Sequence, residues 1–320
     1  MEAHKKRGFV TVATGSEQYY RVAANLLKSY RFFTKEPLPF AILADQENEY
    51  TALFDDVIIL ENPQRSYMDK LFLLNHIPYE ETLFVESDIL LYKDITCFFD
   101  AFIGADDLSF FGNNHPVDAD ITYGLARTAG KSWGWFDPEK MGKYRDQIHS
   151  IPQFGSGFVF LRRGPVCEYA WQVCSDVWKN AATYGLKPID DELFAVAMAV
   201  TGCNCVPNSS RYNQCVYPQM MNGNWKPDPN FHKGYCHFTR PSTGVPEEAH
   251  LCHWGSVYTR KALYKRETKM LECRISANQL GEHLWYALYA VYIPVFNIMD
   301  TLCNRVCHIT KRIKRRLKYN

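Results

Sequence analysis

The sequence lacks the features that define several classes of protein. Its longest charge-free stretch near the end, residues 284–299, has 16 residues and contains Pro294, short of the ~20 that a membrane-spanning helix needs. It contains no internal repeat, and 47% hydrophobic with 22% charged residues excludes disorder, collagen and coiled coil. The start, MEAHKKRGFVTV, has no hydrophobic signal segment. We therefore expect a cytoplasmic protein whose eleven cysteines are reduced thiols.

Positive charge is concentrated in the last 20 residues. The net charge is only +1, but residues 301–320 hold seven lysines and arginines and no acid. An aromatic stripe that includes Trp285 and Tyr289 precedes them. Aromatic side chains beside clustered cations favour contact with an anionic membrane surface, so we expect peripheral membrane association. The alternative is packing of the stripe against the preceding domain. Nucleic acid is not expected as a partner, because no base-stacking module accompanies the cations.

Short apolar runs alternate with helical periodicity over the first 90 residues. Strands are predicted over residues 8–13, 40–43, 57–60 and 82–85. Helices are predicted over 19–33 and 68–76, with Thr14 and Glu17 at the spacing of a capping box. This alternation indicates an α/β fold with a mostly parallel sheet. Ligands of such sheets collect at the carboxyl ends of the strands.

The middle of the chain is less regular. Residues 113–153 are polar and rich in glycine and tryptophan, which predicts an excursion from the sheet. A strand over 158–161 and helices over 169–181 and 192–200 are predicted to follow.

Two carboxylates one residue apart are the sharpest chemical feature. Glu86 and Asp88 follow the apolar run TLFV in the segment TLFVESDILLYKDI. In a continuing strand both side chains would lie on one face, and two buried like charges are costly unless a cation joins them. Mg²⁺ or Mn²⁺ bound by carboxylates and phosphate oxygens satisfies that requirement. The alternative is a turn in which both acids are solvated.

A series of segments resembles the GT-A glycosyltransferases, particularly family 8, which includes glycogenin and the bacterial lipooligosaccharide galactosyltransferases. In chain order they are the strand and polar turn VTVATGS, Lys70 on a helix, the DxD-like LFVESDILLYKDI, FGSGFVF, Asp190-Asp191-Glu192 and His253-Trp254-Gly255. The resemblance implies a Rossmann-like GT-A catalytic domain over residues 1–267, followed by a helical basic extension over 268–320. It also implies metal-dependent transfer of a sugar, from a UDP-linked donor in the first instance, to a hydroxyl of a glycan or glycolipid.

The resemblance further implies roles for individual residues. Asp88 and His253 would bind Mn²⁺ or Mg²⁺, and Glu86 would bind the same metal or the nucleoside ribose. Lys70 and Asp191 would be catalytic, with Lys70 beside the diphosphate and Asp191 below the reacting sugar carbon as nucleophile, ion-pair stabiliser or base. The remaining donor-binding positions would be Thr14, Gly15, Ser87, Gly155, Ser156 and Asp190, with Lys70 and Glu86 contributing as well.

Departures from the family pattern leave alternatives open. Glu86 stands where the family has its first Asp, and Gly155 stands where it has an Asn. His237, in the segment YCHFT, competes with His253 as the metal ligand. These departures allow a catalytically decayed GT-A-like protein that acts as a membrane-associated scaffold or sugar-binding module. The family retains anomeric configuration, but an aspartate at 191 could also support inversion.

Two other assignments fit the sequence poorly. The cysteines and histidines between 203 and 253 match no common zinc-binding spacing. A sugar-1-phosphate nucleotidyltransferase needs a glycine-rich basic loop after the first strand, and ATGSEQYY lacks one.

Overall fold

Strands and helices alternate along the described part of the chain. The computed structural model describes residues 6–91, 93–117, 138–186, 189–207, 215–216 and 251–253, and positions 268 and 272. Its strands are β1 (Arg7–Ala13), β2 (Phe40–Ala44), β3 (Asp56–Ile59), β4 (Glu81–Val85), β5 (Ile89–Leu91), β6 (Leu108–Pro116), β7 (Ser150–Arg162), β8 (Cys215–Val216) and β9 (Leu251–His253). Its α-helices are α1 (Glu17–Phe33), α2 (Pro165–Lys179) and α3 (Asp190–Thr201). Its 3-10 helices are Thr51–Leu53, Tyr67–Leu74, Thr96–Phe102, Pro138–Lys140 and Gly142–Gln147.

Six of these strands form one sheet in the order β3-β2-β1-β4-β7-β6. The strands β1 to β4 run parallel to one another. Strand β7 is antiparallel to both of its neighbours, β4 and β6. The predicted α/β class with a mostly parallel, helix-flanked sheet, as expected for a GT-A fold, is confirmed.

The two faces of the sheet are covered by different helices. Phe9 and Val10 are adjacent in β1 and both 0% exposed, and adjacent strand residues point to opposite faces. Phe9 packs against Tyr30 of α1, with ring centroids 5.1 Å apart. Val10 belongs instead to the core that contains α3 and the apolar residues of α2. The central strands are therefore buried on both sides, which explains why β2 reads as the continuous apolar run FAILA.

Three local predictions were wrong in detail. Ser16, not Thr14, is the N-cap residue of α1, and its side chain makes no capping bond. The helix predicted over 68–76 is the 3-10 helix Tyr67–Leu74, with a capping box formed by Ser66 and Asp69. The first residues of the excursion predicted over 113–153 belong to β6, and its last residues belong to β7. Residues 118–137 lie outside the described part.

The chain divides into two compact units, Met1–Gln214 and Cys215–Asn320. In the second unit, β8 and β9 pair in parallel. The predicted domain boundary at 267/268 stays a prediction, and the predicted helical extension lies outside the described residues apart from two positions. Among the helices of the described residues, none is both long and apolar enough to cross a membrane.

Candidate active site

The polar turn after β1 lies at the carboxyl edge of the sheet. Gly15 has φ +88°, a left-handed conformation that favours glycine. Its backbone N–H donates to Asp45 Oδ1 at 3.2 Å. Thr14 is only 6% exposed, and its hydroxyl donates to Asp69 Oδ2 at 2.6 Å. Both predicted nucleoside-binding residues thus donate a hydrogen bond to an acidic side chain.

Asp45 follows β2 and connects the turn to the loop after β3. Its side chain is 3% exposed and lies 2.9 Å from Arg65 Nε, and it also accepts a hydrogen bond from the Tyr20 hydroxyl. Burial raises the pKa of Asp45, but the hydrogen bonds from Tyr20, Gly15 and Arg65 together lower it below its usual value. Arg65 has φ +55°, a conformation uncommon for a residue with a Cβ, and its side chain is 68% exposed.

Lys70 joins three elements of the site. It lies on the 3-10 helix Tyr67–Leu74 and is 6% exposed. Its Nζ is 2.9 Å from Glu86 Oε1, just after β4, and 2.6 Å from Asp190 Oδ2, at the start of α3. Burial lowers the pKa of Lys70, but the negative charges of Glu86, Asp190 and Asp191 raise it above its usual value. Lys70 is therefore a charged group neutralised by surrounding acids.

Glu86 and Asp88 lie in a turn and not in a continuing strand. Strand β4 ends at Val85, and the turn closes with a hydrogen bond from Ile89 N to Glu86 O at 3.0 Å. The expectation that both carboxylates share one strand face is therefore wrong. Oδ1 of Asp88 is nevertheless buried, with an exposed area below 1 Å². Ser87 is half-buried between the two acids.

The segment that resembles the family's third motif forms an irregularity in β7. The pairing of β6 with β7 shifts register between Phe110 and Gly112, opposite residues 155–158, as in a β-bulge. Gly155 and Ser156 lie in this stretch of the strand. Gly157 accepts a hydrogen bond from Glu86 N at 3.1 Å, and a Cβ added to Gly157 would lie 3.7 Å from Glu86 Oε2. The bulge thus brings the β7 backbone against Glu86.

Three acids occupy the first turn of α3. Asp190 is 9% and Glu192 is 4% exposed, and Oδ1 of Asp191 and Oε2 of Glu192 each expose less than 1 Å². Acids are favourable at a helix N-terminus. Asp190 also pairs with Lys70, which pairs with Glu86, so this turn is connected to the end of β4. The structure therefore brings together Lys70, Glu86 and Asp190.

The metal-ligand prediction is only partly within the described residues. His253 is the last residue of β9 in the second unit, and its role stays a prediction. His237 lies outside the described residues. In the described part of the chain, no group of three or more His, Cys, Asp or Glu is arranged to hold a metal ion. Glu86 and Asp88 fit Mn²⁺ or Mg²⁺ by donor type, since such ions often take one or two carboxylates together with substrate phosphate oxygens.

Three residues of the site were not singled out as site residues from the sequence. Asp69 is 0% exposed and precedes Lys70 directly. Asp45 directly follows β2. Arg65 has no sequence signal beyond a nearby proline and its position in a loop. Only the fold places all three around the turn after β1.

Comparison with known proteins yields matches among solved structures only. No family model matches the sequence, and no curated protein matches it. The galactosyltransferase LgtC, solved with donor and acceptor sugar analogs, is 13% identical over 78% of this chain and 87% of its own, with a TM-score of 0.44. The bifunctional glycosyltransferase WbbM is 12% identical over 79% of this chain and 46% of its own, with a TM-score of 0.47. The glycosyltransferase GlyE of Streptococcus pneumoniae TIGR4 is 12% identical over 65% of this chain and 46% of its own, with a TM-score of 0.41.

These solved structures are glycosyltransferases by name, the class that the sequence motifs resemble. At identities of 12–13% and TM-scores below 0.5, the likeness carries no argument about this chain.

Proposed function

We propose that this protein is a metal-dependent glycosyltransferase that transfers a sugar from a nucleotide-sugar donor to a hydroxyl of a glycan or glycolipid. The observation that carries the proposal is the buried Lys70, paired with Glu86 and Asp190 at the carboxyl edge of a parallel sheet. A UDP-sugar is the first donor class to test, on the strength of the family resemblance.

The charges of the site suit a diphosphate that arrives with a divalent cation. Among the described residues, the positive charge of Lys70 faces the negative charges of Glu86, Asp190 and Asp191. Glu86 and Asp88 would hold Mn²⁺ or Mg²⁺, which would stabilise charge on the departing nucleoside diphosphate. Lys70 would offset the same charge from the protein side.

The other residues would position the donor. Thr14 and Gly15, next to the end of β1, would contact the nucleoside. Ser87 and the β7 bulge at residues 155–158 would border the sugar. Asp191 would lie near the reacting carbon, and the anomeric configuration of the product, assigned by NMR, distinguishes retention from inversion.

The proposal is tested by a donor screen. A panel of nucleotide sugars is incubated with the protein, with and without Mn²⁺, and the released nucleoside diphosphate is measured. We expect Mn²⁺-dependent release with one donor, and its loss in Asp88→Asn. The control Asp100→Asn makes the same change at an exposed acid of the 3-10 helix Thr96–Phe102 and should keep wild-type release. Unchanged release by the Asp88 variant would reject the metal role.

One observation favours a second candidate, a protein of this fold that binds without turnover. Glu86 Oε1 is already 2.9 Å from Lys70 Nζ, so one of the two proposed metal-binding carboxylates has a cation as its partner. Calorimetry with UDP separates the candidates. An enzyme should bind UDP more tightly with Mn²⁺, whereas a decayed site should show no metal-dependent binding.

A further inference from the structure

Asp69 is a buried acid that accepts three hydrogen bonds, one from the turn after β1 and two from the loop at residues 64–66. Its side chain accepts from the Thr14 hydroxyl at 2.6 Å, from Gln64 N at 2.6 Å and from Ser66 N at 3.3 Å. It is 0% exposed. The neighbouring Lys70 points to Glu86 and Asp190, and no cation pairs with Asp69 in the part of the chain that the structure describes.

These contacts fix the direction of the Thr14 hydroxyl. Backbone N–H groups can only donate, and a carboxylate can only accept. The Thr14 hydroxyl is the one partner of Asp69 able to act either way, and beside a carboxylate it must donate. Its proton is therefore committed to Asp69, and its oxygen keeps only acceptor lone pairs for any other partner.

We propose that Asp69 is a positioning residue that makes Thr14 an acceptor toward the ligand, so that the turn selects an N–H or O–H donor group of the nucleoside. This inference rests on the proposed function, because it takes Thr14 to face the nucleotide. It assigns to Asp69 a role in recognition exerted through another side chain. The same carboxylate also holds the loop at residues 64–66 against the turn after β1.

A double-mutant cycle on UDP binding tests the inference. Thr14→Val removes the hydroxyl with little change of shape, and Asp69→Asn removes the obligate acceptor. We expect each single variant to weaken UDP binding roughly tenfold, the value of one hydrogen bond. The double variant should be no more than about twofold weaker than the weaker single variant, since both changes remove one interaction. Thr14→Ser, which keeps a hydroxyl, should restore binding and stay sensitive to Asp69→Asn.

A structural role for Asp69 gives a different result. If Asp69 only supports the loop, Asp69→Asn weakens binding by the same factor in the wild-type background and in the Thr14→Val background, and the two losses multiply. That outcome overturns the inference while UDP binding by the wild type leaves the proposed function standing. Absence of UDP binding by the wild type rejects both.

The matched control is Asp55→Asn. Asp55 also accepts from a backbone N–H, that of Phe40 at 2.8 Å, but Phe40 begins β2 at the opposite edge of the sheet. This variant should bind UDP as the wild type does. Urea unfolding of every variant identifies any that binds poorly because it is unfolded. If Asp69→Asn is unfolded, the comparison of Thr14→Val with Thr14→Ser still tests the inference, because equal UDP binding by these two variants would contradict a role for the Thr14 hydroxyl.

Discussion

At the scale of single residues, the turn after β1 depends on backbone conformation as much as on side chains. Gly15 adopts φ +88° and lies beneath the Arg65 side chain, so that an added Cβ would be 3.3 Å from Arg65 Cβ. Arg65 itself has a positive φ. Left-handed residues other than glycine are concentrated at functional sites, in line with the proposed nucleotide contact here.

Gly15→Ala should destabilise the protein and weaken UDP binding. A left-handed alanine costs about 1–2 kcal/mol, and the contact with Arg65 adds to this loss. Gly104→Ala is the control, because Gly104 has φ +76° but nothing lies within 4 Å of an added Cβ. Urea unfolding should show the larger loss for Gly15→Ala, and only that variant should bind UDP more weakly. Equal losses of stability would show that the Arg65 contact contributes nothing.

Asp45 predicts a dependence of stability on pH. Because its folded-state pKa is lowered, its interactions stabilise the protein above the unfolded value of about 3.9 and are lost as pH falls through the folded value. Asp45→Asn should therefore lose less stability than the wild type as pH falls from about 5 to about 2. Urea unfolding at several pH values measures the difference. Parallel curves for the two proteins would contradict the prediction.

At the scale of elements, Lys70 connects the 3-10 helix Tyr67–Leu74, the end of β4 and the start of α3. Lys70→Met would leave the buried Asp190 and the partly buried Glu86 without their cation. Breaking a buried ion pair in this way costs about 3–5 kcal/mol, which urea unfolding would detect. The control Lys143→Met breaks a pair of similar length, 2.9 Å to Asp176, at an exposed position, and should have a much smaller effect. A comparable loss of stability in both variants would mean that the ion pairs of Lys70 stabilise the protein no more than an exposed pair does.

Elements were predictable from the sequence where burial alone determines them. Each of the strands β1 to β4 was predicted to within one residue at either end. Strands β1, β2 and β4 are mostly buried, and strands covered on both faces consist mainly of apolar residues, whereas the border strand β3 is only partly buried. The Tyr67–Leu74 helix was predicted in place but not in type, since α and 3-10 helices bury similar apolar spacings over two turns. The register shift opposite residues 155–158 depends on the partner strand β6, which was not predicted.

The site was predictable as a set of residue types at a sheet edge. Lys70 lies within ion-pair distance of Glu86 and Asp190, while the roles that the resemblance implies for the three residues stay predictions. Their pairing, and the links from Asp69 to Thr14 and from Asp45 to Gly15, join residues separated by 16 to 120 positions in the chain. No local pattern specifies such contacts. They follow from the order in which the strands are placed in the sheet.

At the scale of the whole molecule, we propose that the basic C-terminal segment, residues 301–320, binds an anionic membrane surface. The segment lies outside the described residues. Deleting residues 301–320 should release the protein from vesicles that contain anionic lipid, since each cation near such a surface contributes about 1 kcal/mol. Sedimentation with anionic vesicles, with neutral vesicles as the control, measures the effect. Binding by the full chain should weaken as salt rises. Undiminished binding by the shortened chain would assign the contact to another surface.

The two edges of the central sheet differ in their freedom to accept another strand. Along β6, Gly112 N donates to Val206 O at 2.9 Å and Val206 N donates to Phe110 O at 2.8 Å, so part of that border is already covered by the chain itself. Strand β3 forms the other border with only four residues, the first of which is Asp56. Short, charged border strands protect a sheet from pairing with a second copy. Lengthening β3 with apolar residues would therefore be expected to promote aggregation before it affected the site across the sheet.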